Sequence, residues 1–592
     1  MLLRRADTKP GNNKLSPAIL AREWFRQVQL RDCFSMIARR AYPSLAALKP
    51  QLLIFFASAL LLALGMDRKL GVYDEGVILT AAMRVAAGEI THSDFYTNYG
   101  PAQFYVIATL FKLFGQYALV ERAYDVLVRA MIVAVCFGLT ATCTRKYIAV
   151  AVAVICGLWL FSIPFYGYPI FPVVLLSLVS AALVLPVLAG HFSPWRLVAA
   201  GATVGLAALF RYDAGFFVFV ALGAVLTLSS VLRSGNVGHA PDEAKTIVLR
   251  YVLGTSIVFL PVAICYLAVA PITPFIHDIL SYPIHYYART RSLPFPGVLE
   301  TIRSIDILAV YLPILICCAT VYSVFLSRVD INRRRCTPSD DSVGEQLKDW
   351  LLIMFALLTS MLYLKGLVRV SVVHMLASLI PSLVLLAVLL DRAWYQGYLA
   401  RIVIAVLCGL SLISAVYASI TTARSRVRDG STVLAQSSIA VASPRVALWA
   451  LCGGGLPRIQ CLLLDSDRAK ATRFVIANTR ADERIFVGLT RHDKIFANDN
   501  MIYFAAGRLP ATRWHQFDPG LQTRADVQRQ IIAELQARNV RCVVLESEWD
   551  DANEPNDSAR SSGIHMLDEY IRQNYQPVQS YGKVSVLFRA SQ

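Results

Sequence analysis

The chain has 592 residues, of which 56% are hydrophobic and 16% charged, with a formal net charge of +17. Its mean hydropathy of +0.52 is too apolar for a soluble multidomain chain of this length, so the composition predicts a polytopic membrane protein. The Lys and Arg residues fall mainly in short stretches between apolar runs, which excludes the basic face of a nucleic-acid-binding module and fits membrane orientation instead.

Apolar runs long enough to cross, or nearly cross, a hydrocarbon core of about 30 Å recur along most of the chain. They begin near residues 51, 126, 147, 173, 197, 216, 248, 304, 349, 376 and 402, which predicts about eleven spans. The basic segment 1–50 carries no cleavable signal pattern, so we expect an uncleaved first span with a cytoplasmic N-terminus.

The distribution of basic residues sets the expected orientation. Arg-rich loops such as 327–336 should face the cytoplasm, which puts the loops at 67–125 and 271–303 and the chain after the last span on the opposite side. The apolar segment 102–115 is short and contains Lys112, so we interpret it as an interfacial helix rather than a span. Counting it as a span would turn the Arg-rich loop outward, against the charge rule.

The C-terminal part alternates helical and strand patterns, which predicts an extramembrane α/β domain. No dinucleotide or P-loop motif opens its helices, so nucleotide chemistry is not expected there. Polar stretches at 490–508 and 546–558 follow predicted strands, where such sheets bind ligands; acceptor glycan binding and a structural lid over the outer loops are the two interpretations. The predicted divisions are a basic cytoplasmic segment (1–50), a transmembrane domain (51–421), an interfacial connector (422–465) and the α/β domain (466–592).

The outer loops also hold most of the unusual ionisable residues, beginning with the adjacent carboxylates Asp74 and Glu75. Ionisable groups that converge at a bilayer boundary cost desolvation energy and are usually kept for a ligand. Carboxylates can take a proton from an acceptor, and Arg or Lys can hold an anionic headgroup, which are the two needs of group transfer from a lipid phosphate. The pattern therefore predicts an active site at the membrane surface.

Short motifs at this surface resemble a known superfamily. The stretch "YDEG" after the first span, then "VILTAAMRVAAGEI", "DFYTNYGPAQFYVIATLFKLFG" and Arg122, resembles the first outer loop of GT-C glycosyltransferases, in particular the branch of protein O-mannosyltransferases and the lipid A aminoarabinose transferase. The stretch "KGLVRVSVVHMLASLIPSL" at 365–383 is similar to a later element of such proteins, although this chain has Ser371 where relatives often carry Asp. The resemblance covers about residues 50–420 and implies a GT-C-like fold and a polyprenyl-phosphate sugar donor.

The resemblance also implies roles for single residues. Asp74 is expected to be the general base, and Glu75 its neighbour that holds the acceptor or shares the proton, in an inverting displacement without a covalent intermediate. The residues expected to bind the donor phosphate or lipid are Arg122, Arg211, Arg289 (or Arg291), Lys365, Arg369 and His374. The residues expected to contact the acceptor or the sugar are Asp94, Tyr96, Tyr99, His285 and Tyr286.

Each of these assignments has a structural alternative. Asp74 and Glu75 can stabilise the N-terminus of the helix that follows. Asp94 can cap its loop, and Arg211 can pair with Asp213 across a tight turn. Snorkelling at the membrane interface is the alternative for Lys365, Arg369 and His374.

The expected partners are a polyprenyl-phosphate sugar donor, a glycan, lipid or protein acceptor, and the lipid bilayer. No metal site is assigned, because His277 and His285 have no third ligand near them in sequence; no cofactor is certain, and a divalent metal stays open. The expected location is a bacterial inner membrane with a periplasmic C-terminal domain. The alternatives are a ligase or polymerase that transfers a whole lipid-linked glycan, and a transporter or flippase, against which the ionisable residues collect at one face rather than at the bilayer midplane.

Overall fold

The structure is a computed structural model that describes residues 45–234, 241–333, 342–393, 397–436 and 456–590. Residues Leu53–Gln592 form one compact unit, and the packing below concerns that unit. Most of the predicted basic N-terminal segment, and residues 437–455 of the predicted connector, lie outside the described residues.

The first part of the chain is helical. Its helices are α1 (Leu45–Leu64), α2 (Asp74–Ala86), α3 (Ala102–Phe114), α4 (Ala118–Cys143), α5 (Lys146–Ser162), α6 (Ile170–Leu188), α7 (Pro194–Phe210), α8 (Tyr212–Ser234), α9 (Pro241–Val269), α10 (Ile272–Ile276), α11 (Ala288–Arg291), α12 (Val298–Arg303), α13 (Leu308–Arg333), α14 (Ser342–Gly366), α15 (Val372–Ala393) and α16 (Tyr398–Gln436). The turns at His277–Ser281 and Pro283–Tyr287, between α10 and α11, are π-helical.

Within the described residues, eight helices are long and apolar enough to cross a membrane: α4, α6, α8, α9, α13, α14, α15 and α16. Helices α3, α5 and α7, and the stretch Lys49–Leu64 of α1, are apolar but shorter. The prediction of a polytopic helical membrane protein is confirmed, whereas the number of spans stays a prediction. Helix α15 is central, with 83% of its apolar window buried, and α9 is peripheral, with 11% buried.

Small residues allow α7 and α9 to approach closely. A Cβ atom on Gly201 would lie 2.0 Å from the Tyr251 carbonyl oxygen, and one on Gly254 would lie 2.0 Å from the Val198 carbonyl oxygen. Such contacts between backbones are a common way to join helices where no hydrophobic force acts between them.

Helix α3, the segment interpreted as interfacial, packs against α2 and the C-terminal domain as well as against α4 and α7. Phe104 and Phe111 join a core with α2 and the C-terminal domain, and the Phe111 ring stacks on Phe504 at 5.7 Å. Lys112 and Leu113 on the other face are exposed. These contacts support the interfacial interpretation, which remains a prediction.

The C-terminal domain contains α17 (Ser466–Asn478), β1 (Phe486–Leu489), α18 (Met501–Ala506), α19 (Ala525–Ala537), β2 (Cys542–Glu546), α20 (Met566–Asn574), β3 (Tyr575–Tyr581) and β4 (Val584–Arg589). Its four-stranded sheet has the order β1-β2-β4-β3, with β1 parallel to β2 and the other pairs antiparallel. The predicted α/β character is confirmed. Two elements were not predicted: α18, which is short, and β3, an edge strand that contains Pro577 and has mostly exposed side chains.

The last long helix differs from the expected division of the chain. Helix α16 continues to Gln436, whereas the transmembrane domain was expected to end at residue 421. The segment 422–436 contains no proline, so the helix can continue past residue 421 even though it includes Gly430, an unfavourable helix residue.

Candidate active site

Asp74 is the first residue of α2, directly after the loop that leaves α1. The preceding Tyr73 makes no side-chain capping bond to the helix. Asp74 is partly buried, and among the described residues no donor forms a hydrogen bond or an ion pair with its carboxylate. Burial raises the pKa of this carboxyl group to about 6, although the positive charges of Arg291 and Arg369 oppose the rise.

Basic side chains from separate elements surround Asp74. Arg291 ends α11, and Arg369 precedes α15; both interact electrostatically with Asp74. Arg211, which follows α7, is linked to Asp74 through the tyrosines described below, and Lys365, near the end of α14, interacts electrostatically with Arg211. We call Asp74 and these four basic residues, together with the tyrosines that face them, the Asp74 site.

Each arginine of the Asp74 site is paired with a carboxylate of its own. The pairs are Arg211 with Asp213 at 2.9 Å, Arg291 with Asp518 at 3.2 Å, and Arg369 with Glu554 at 2.5 Å. Within the described part of the chain, Lys365 has no carboxylate within ion-pair distance. Lys365 and Asp74 therefore remain as one cation and one carboxylate that the protein itself does not pair.

Tyrosines form the rest of the site. Tyr99 and Tyr168 each interact electrostatically with both Asp74 and Arg211; the Arg211 guanidinium donates a hydrogen bond to the Tyr168 hydroxyl at 2.9 Å and lies 5.5 Å from the centre of the Tyr99 ring. Burial raises the pKa of both phenols, so they stay neutral. Tyr99 is half-buried and offers an apolar face and a hydroxyl, which suits contact with a sugar, whereas Tyr168 is buried and supports Arg211.

Glu75 does not share the environment of its neighbour. Its carboxylate accepts two hydrogen bonds from Arg122, at 2.7 and 2.8 Å, and one from the Gly71 backbone at 2.7 Å. Arg122 is fully buried, donates to the carbonyl oxygens of Asp67 and Lys69, and lies over the Tyr166 ring. Both charged groups are fully engaged within the protein, which does not fit the expected roles in proton sharing and donor binding.

The second outer loop brings only part of its predicted set to the site. Arg289 and His285 are exposed, and the His285 ring bonds to the Ser281 carbonyl. Tyr286 stacks on Tyr282 and accepts a hydrogen bond from Arg524, so it faces the C-terminal domain.

The first outer loop shows a similar division. Asp94 is exposed and accepts a hydrogen bond from the Ile90 backbone at 2.7 Å, as its structural alternative predicted. Tyr96 is buried behind the site, where its hydroxyl donates to Asp518 at 2.9 Å. Of the residues predicted to contact acceptor or sugar, Tyr99 is the one that lies beside Asp74.

His374 and Ser371 form a hydrogen bond of 2.7 Å at the start of α15. His374 interacts electrostatically with Lys365 and Arg369, which places it at the edge of the Asp74 site. Ser371, at the position where a polar role was expected from an aspartate, thus fixes the orientation of the His374 ring.

Sequence reasoning missed the residues that the C-terminal domain contributes. Asp518 and Glu554 lie in that domain, more than one hundred residues after the arginines that they pair. No local motif marks either carboxylate, since each is recognisable only from its partner. Tyr168, in the loop between α5 and α6, carried no signal beyond its position on the outer side.

The metal question concerns a different place in the molecule. Among the described residues, the group able to offer three ligands to an ion is Asp493, His565 and Asp568, whose ligand atoms lie within 4.8 Å of one another. This group belongs to the C-terminal domain. The Asp493 carboxylate is already paired with Arg491, and Asp568 accepts a hydrogen bond from His492 at 2.6 Å.

No protein-family model and no curated protein sequence matches the chain. Among solved structures, the chain is similar to ArnT from Cupriavidus metallidurans bound to undecaprenyl phosphate, with a TM-score of 0.46 and 13% identity over 91% of this chain and 98% of that chain. It is also similar to the oligosaccharyltransferase AglB from Archaeoglobus fulgidus in complex with an inhibitory peptide and a dolichol-phosphate, with a TM-score of 0.45 and 13% identity over 86% of this chain and 70% of that chain. Both are GT-C glycosyltransferases, the superfamily that the motifs of this chain resemble.

Proposed function

We propose that the protein is a membrane glycosyltransferase that moves a sugar from a polyprenyl-phosphate-linked donor to an acceptor hydroxyl, with Asp74 as the general base. The observation that carries this proposal is the state of Asp74: a partly buried carboxylate without a hydrogen-bond partner among the described residues, with Arg291 and Arg369 close to it and Arg211 and Lys365 further along the same site. An unpaired base beside a set of cations matches the needs of sugar transfer from a phosphate.

The reaction assigns a task to each side of the site. The acceptor oxygen attacks the anomeric carbon of the donor, and Asp74 takes the proton of the acceptor hydroxyl as the new carbon–oxygen bond forms. The bond between the anomeric carbon and the phosphate oxygen breaks, and its electrons leave with the polyprenyl phosphate. The basic residues stabilise the negative charge that develops on this leaving group. One displacement inverts the configuration of the sugar carbon.

The pKa of Asp74 suits this task. A general base works best when its pKa is close to the working pH, because it is then deprotonated and still accepts a proton readily. Burial raises the pKa of Asp74 from the usual aspartate value of 3.8 to about 6, which is closer to neutral pH.

The balance of charge in the site favours a monophosphate donor. The three arginines are neutralised by Asp213, Asp518 and Glu554, which leaves Lys365 as the one unpaired cation of the site among the described residues, and the charge of Asp74 opposes that of Lys365. A sugar joined to a lipid through one phosphate carries one negative charge, whereas a diphosphate-linked glycan carries two. The unpaired lysine therefore supports transfer of one sugar over the ligase or polymerase alternative, and we assign the donor phosphate to Lys365 and the neighbouring Arg369.

The acceptor and the location are parts of the same proposal. Tyr99 presents an aromatic face and a hydroxyl beside Asp74, where a glycan, lipid or protein acceptor would enter. We place the site on the periplasmic side of a bacterial inner membrane. The charge rule assigns the Arg-rich loops to the cytoplasm, and the loops that form the site are predicted on the opposite side. Cys461, on the side of the C-terminal domain, is disulfide-bonded, which fits an oxidising compartment.

The test is sugar transfer or donor hydrolysis by the purified full-length protein in detergent, with radiolabelled polyprenyl-phosphate monosaccharides as donors. Asp74→Asn should abolish release of the label, whereas Asp482→Asn, an exposed carboxylate of the C-terminal domain, should not change it. Release by wild type that persists undiminished in Asp74→Asn would remove Asp74 as the base. Turnover seen only with a lipid-diphosphate glycan would support the ligase or polymerase alternative.

A further inference from the structure

We infer that the C-terminal α/β domain completes the active site: Asp518 and Glu554 are positioning residues that hold Arg291 and Arg369 beside Asp74 without letting them pair with it. This inference rests on the proposed function, in which Asp74 must stay free to accept a proton. It gives the domain a task different from both sequence interpretations, glycan binding and a passive lid.

Asp518 is held rigidly. One carboxylate oxygen accepts hydrogen bonds from Arg291 at 3.2 Å and from the Tyr73 hydroxyl at 3.3 Å. The other oxygen accepts from the Tyr96 hydroxyl and from the Gln516 amide, both at 2.9 Å. The side chain is 3% exposed, so water does not compete for these bonds. A carboxylate with four donors around it cannot turn, and the direction of the Arg291 guanidinium is fixed with it.

Glu554 holds the second arginine in a two-pronged contact. Arg369 donates to both oxygens of Glu554, at 2.8 and 2.5 Å, and also donates to the backbone carbonyl of Arg291 at 3.0 Å. Asn556 supports the same carboxylate from its own side at 3.0 Å. The two arginines are therefore tied to each other and, through separate carboxylates, to the C-terminal domain.

These pairs matter because of what the arginines would do without them. Arg291 and Arg369 already interact electrostatically with Asp74, so it is the natural new partner for either guanidinium once its own carboxylate is removed. An Arg–Asp74 ion pair would hold the base in its charged form and lower its affinity for a proton. Asp518 and Glu554 thus keep the cations close enough for a leaving phosphate and apart from the base.

The inference is tested with Asp518→Asn and Glu554→Gln in the full-length protein. The measurements are the pH profile of turnover with the active donor and the binding of undecaprenyl phosphate. Each variant should lose turnover, on the order of 10-fold or more for Asp518→Asn. The acidic limb of its pH profile should move to lower pH, because Asp74 then faces an uncompensated arginine. Binding of undecaprenyl phosphate should stay equal or become tighter, since the site gains one positive charge.

Controls separate positioning from general damage. Asp482→Asn removes an exposed carboxylate that pairs with Arg480 in the same domain and should behave as wild type in all three measurements. Asp518→Glu restores the charge and should return the pH limb towards wild type. Glu554→Gln alters a carboxylate that is 14% exposed, so it guards against the case in which the more buried Asp518 variant does not fold.

The opposite results would overturn the inference. If both variants keep the turnover and pH profile of wild type, the C-terminal carboxylates do not position the arginines. If turnover and lipid-phosphate binding fall together, with an unchanged pH limb, the two carboxylates serve only stability. A wild-type protein that neither binds undecaprenyl phosphate nor turns over any sugar donor would instead remove the proposed function, and this inference with it.

Discussion

Two neighbouring regions around the start of α2 contain the same kinds of charged residue in different states. Glu75 and Arg122 are paired with each other and are hydrogen-bonded to the backbone, although the neighbouring Glu121 is buried with no hydrogen bond to its carboxylate oxygens among the described residues. Around Asp74, Arg291 and Arg369 form ion pairs with carboxylates of the C-terminal domain, while Asp74 and Lys365 have no ion pair among the described residues. Adjacent carboxylates can therefore differ in function: Glu75 is held by a buried arginine, whereas Asp74 is left available beside basic residues that are paired with other carboxylates.

Energetics explains why the two states have different uses. A buried ion pair whose groups are fully hydrogen-bonded costs much to break, because either partner alone would be an uncompensated buried charge. Such a pair joins the loop after α1 to α4 and fixes the start of α2. A partly buried carboxylate without an ion pair costs the folded protein more free energy than a paired one, because no partner offsets its desolvation. It also leaves a group that is able to exchange a proton.

The difference between the two regions is tested most directly by neutralising the two adjacent carboxylates separately. Asp74→Asn should lower turnover by about 10²- to 10⁴-fold, the usual contribution of a general base, with little change in thermal unfolding. Glu75→Gln should do the reverse: it strands the buried Arg122 and should lower stability by about 3–5 kcal/mol, while the folded fraction keeps its turnover. Turnover kinetics and thermal unfolding in detergent measure both. Equal effects of the two variants on turnover would contradict the distinction.

Removing the unpaired cation tests the other half of the comparison. Lys365→Ala should weaken binding of the donor by about 10- to 100-fold, the worth of a hydrogen bond to a charged group, because no other cation of the site is free of a carboxylate among the described residues. Binding of undecaprenyl phosphate to the purified protein measures the change. Lys112→Ala, at an exposed lysine of α3, is the matched control and should bind like wild type.

The pH dependence sharpens the assignment of the base. Because burial raises the pKa of Asp74 to about 6, the carboxylate is charged and able to accept a proton above that pH and is protonated below it. The specificity constant kcat/KM should therefore fall as the pH drops through about 6, and at lower pH the fall should approach about tenfold per pH unit. An acidic limb near the ordinary value for aspartate would mean that the base is an exposed carboxylate.

The smallest effect is expected at Asp94. Its carboxylate is exposed and accepts one backbone hydrogen bond from Ile90, so Asp94→Ala should cost about 0.5–1.5 kcal/mol of stability or less and leave turnover unchanged. Thermal unfolding and the standard transfer assay check this. A large loss of turnover in this variant would restore Asp94 to the acceptor site.

Part of the site could be predicted from local sequence. The stretch after the first apolar run pointed to Asp74, and the charged residues before α15 pointed to Lys365 and Arg369, because membrane boundaries constrain where charges stand. The same reasoning assigned Glu75 and Arg122 to the site, but in the structure these two residues are bound to each other. Their pairing depends on the way α4 packs against the loop after α1, which no spacing in the sequence encodes.

Composition and periodicity are local properties, so the class of protein, its apolar helices and most of the small C-terminal sheet could be predicted from them. Tertiary structure alone decided which carboxylate is free. Adjacent residues on a helix point about 100° apart, so Asp74 and Glu75 enter different surroundings although they are neighbours in the chain. It also brought Asp518 and Glu554 to the arginines across the length of the chain, since ion pairs follow from packing and not from sequence distance.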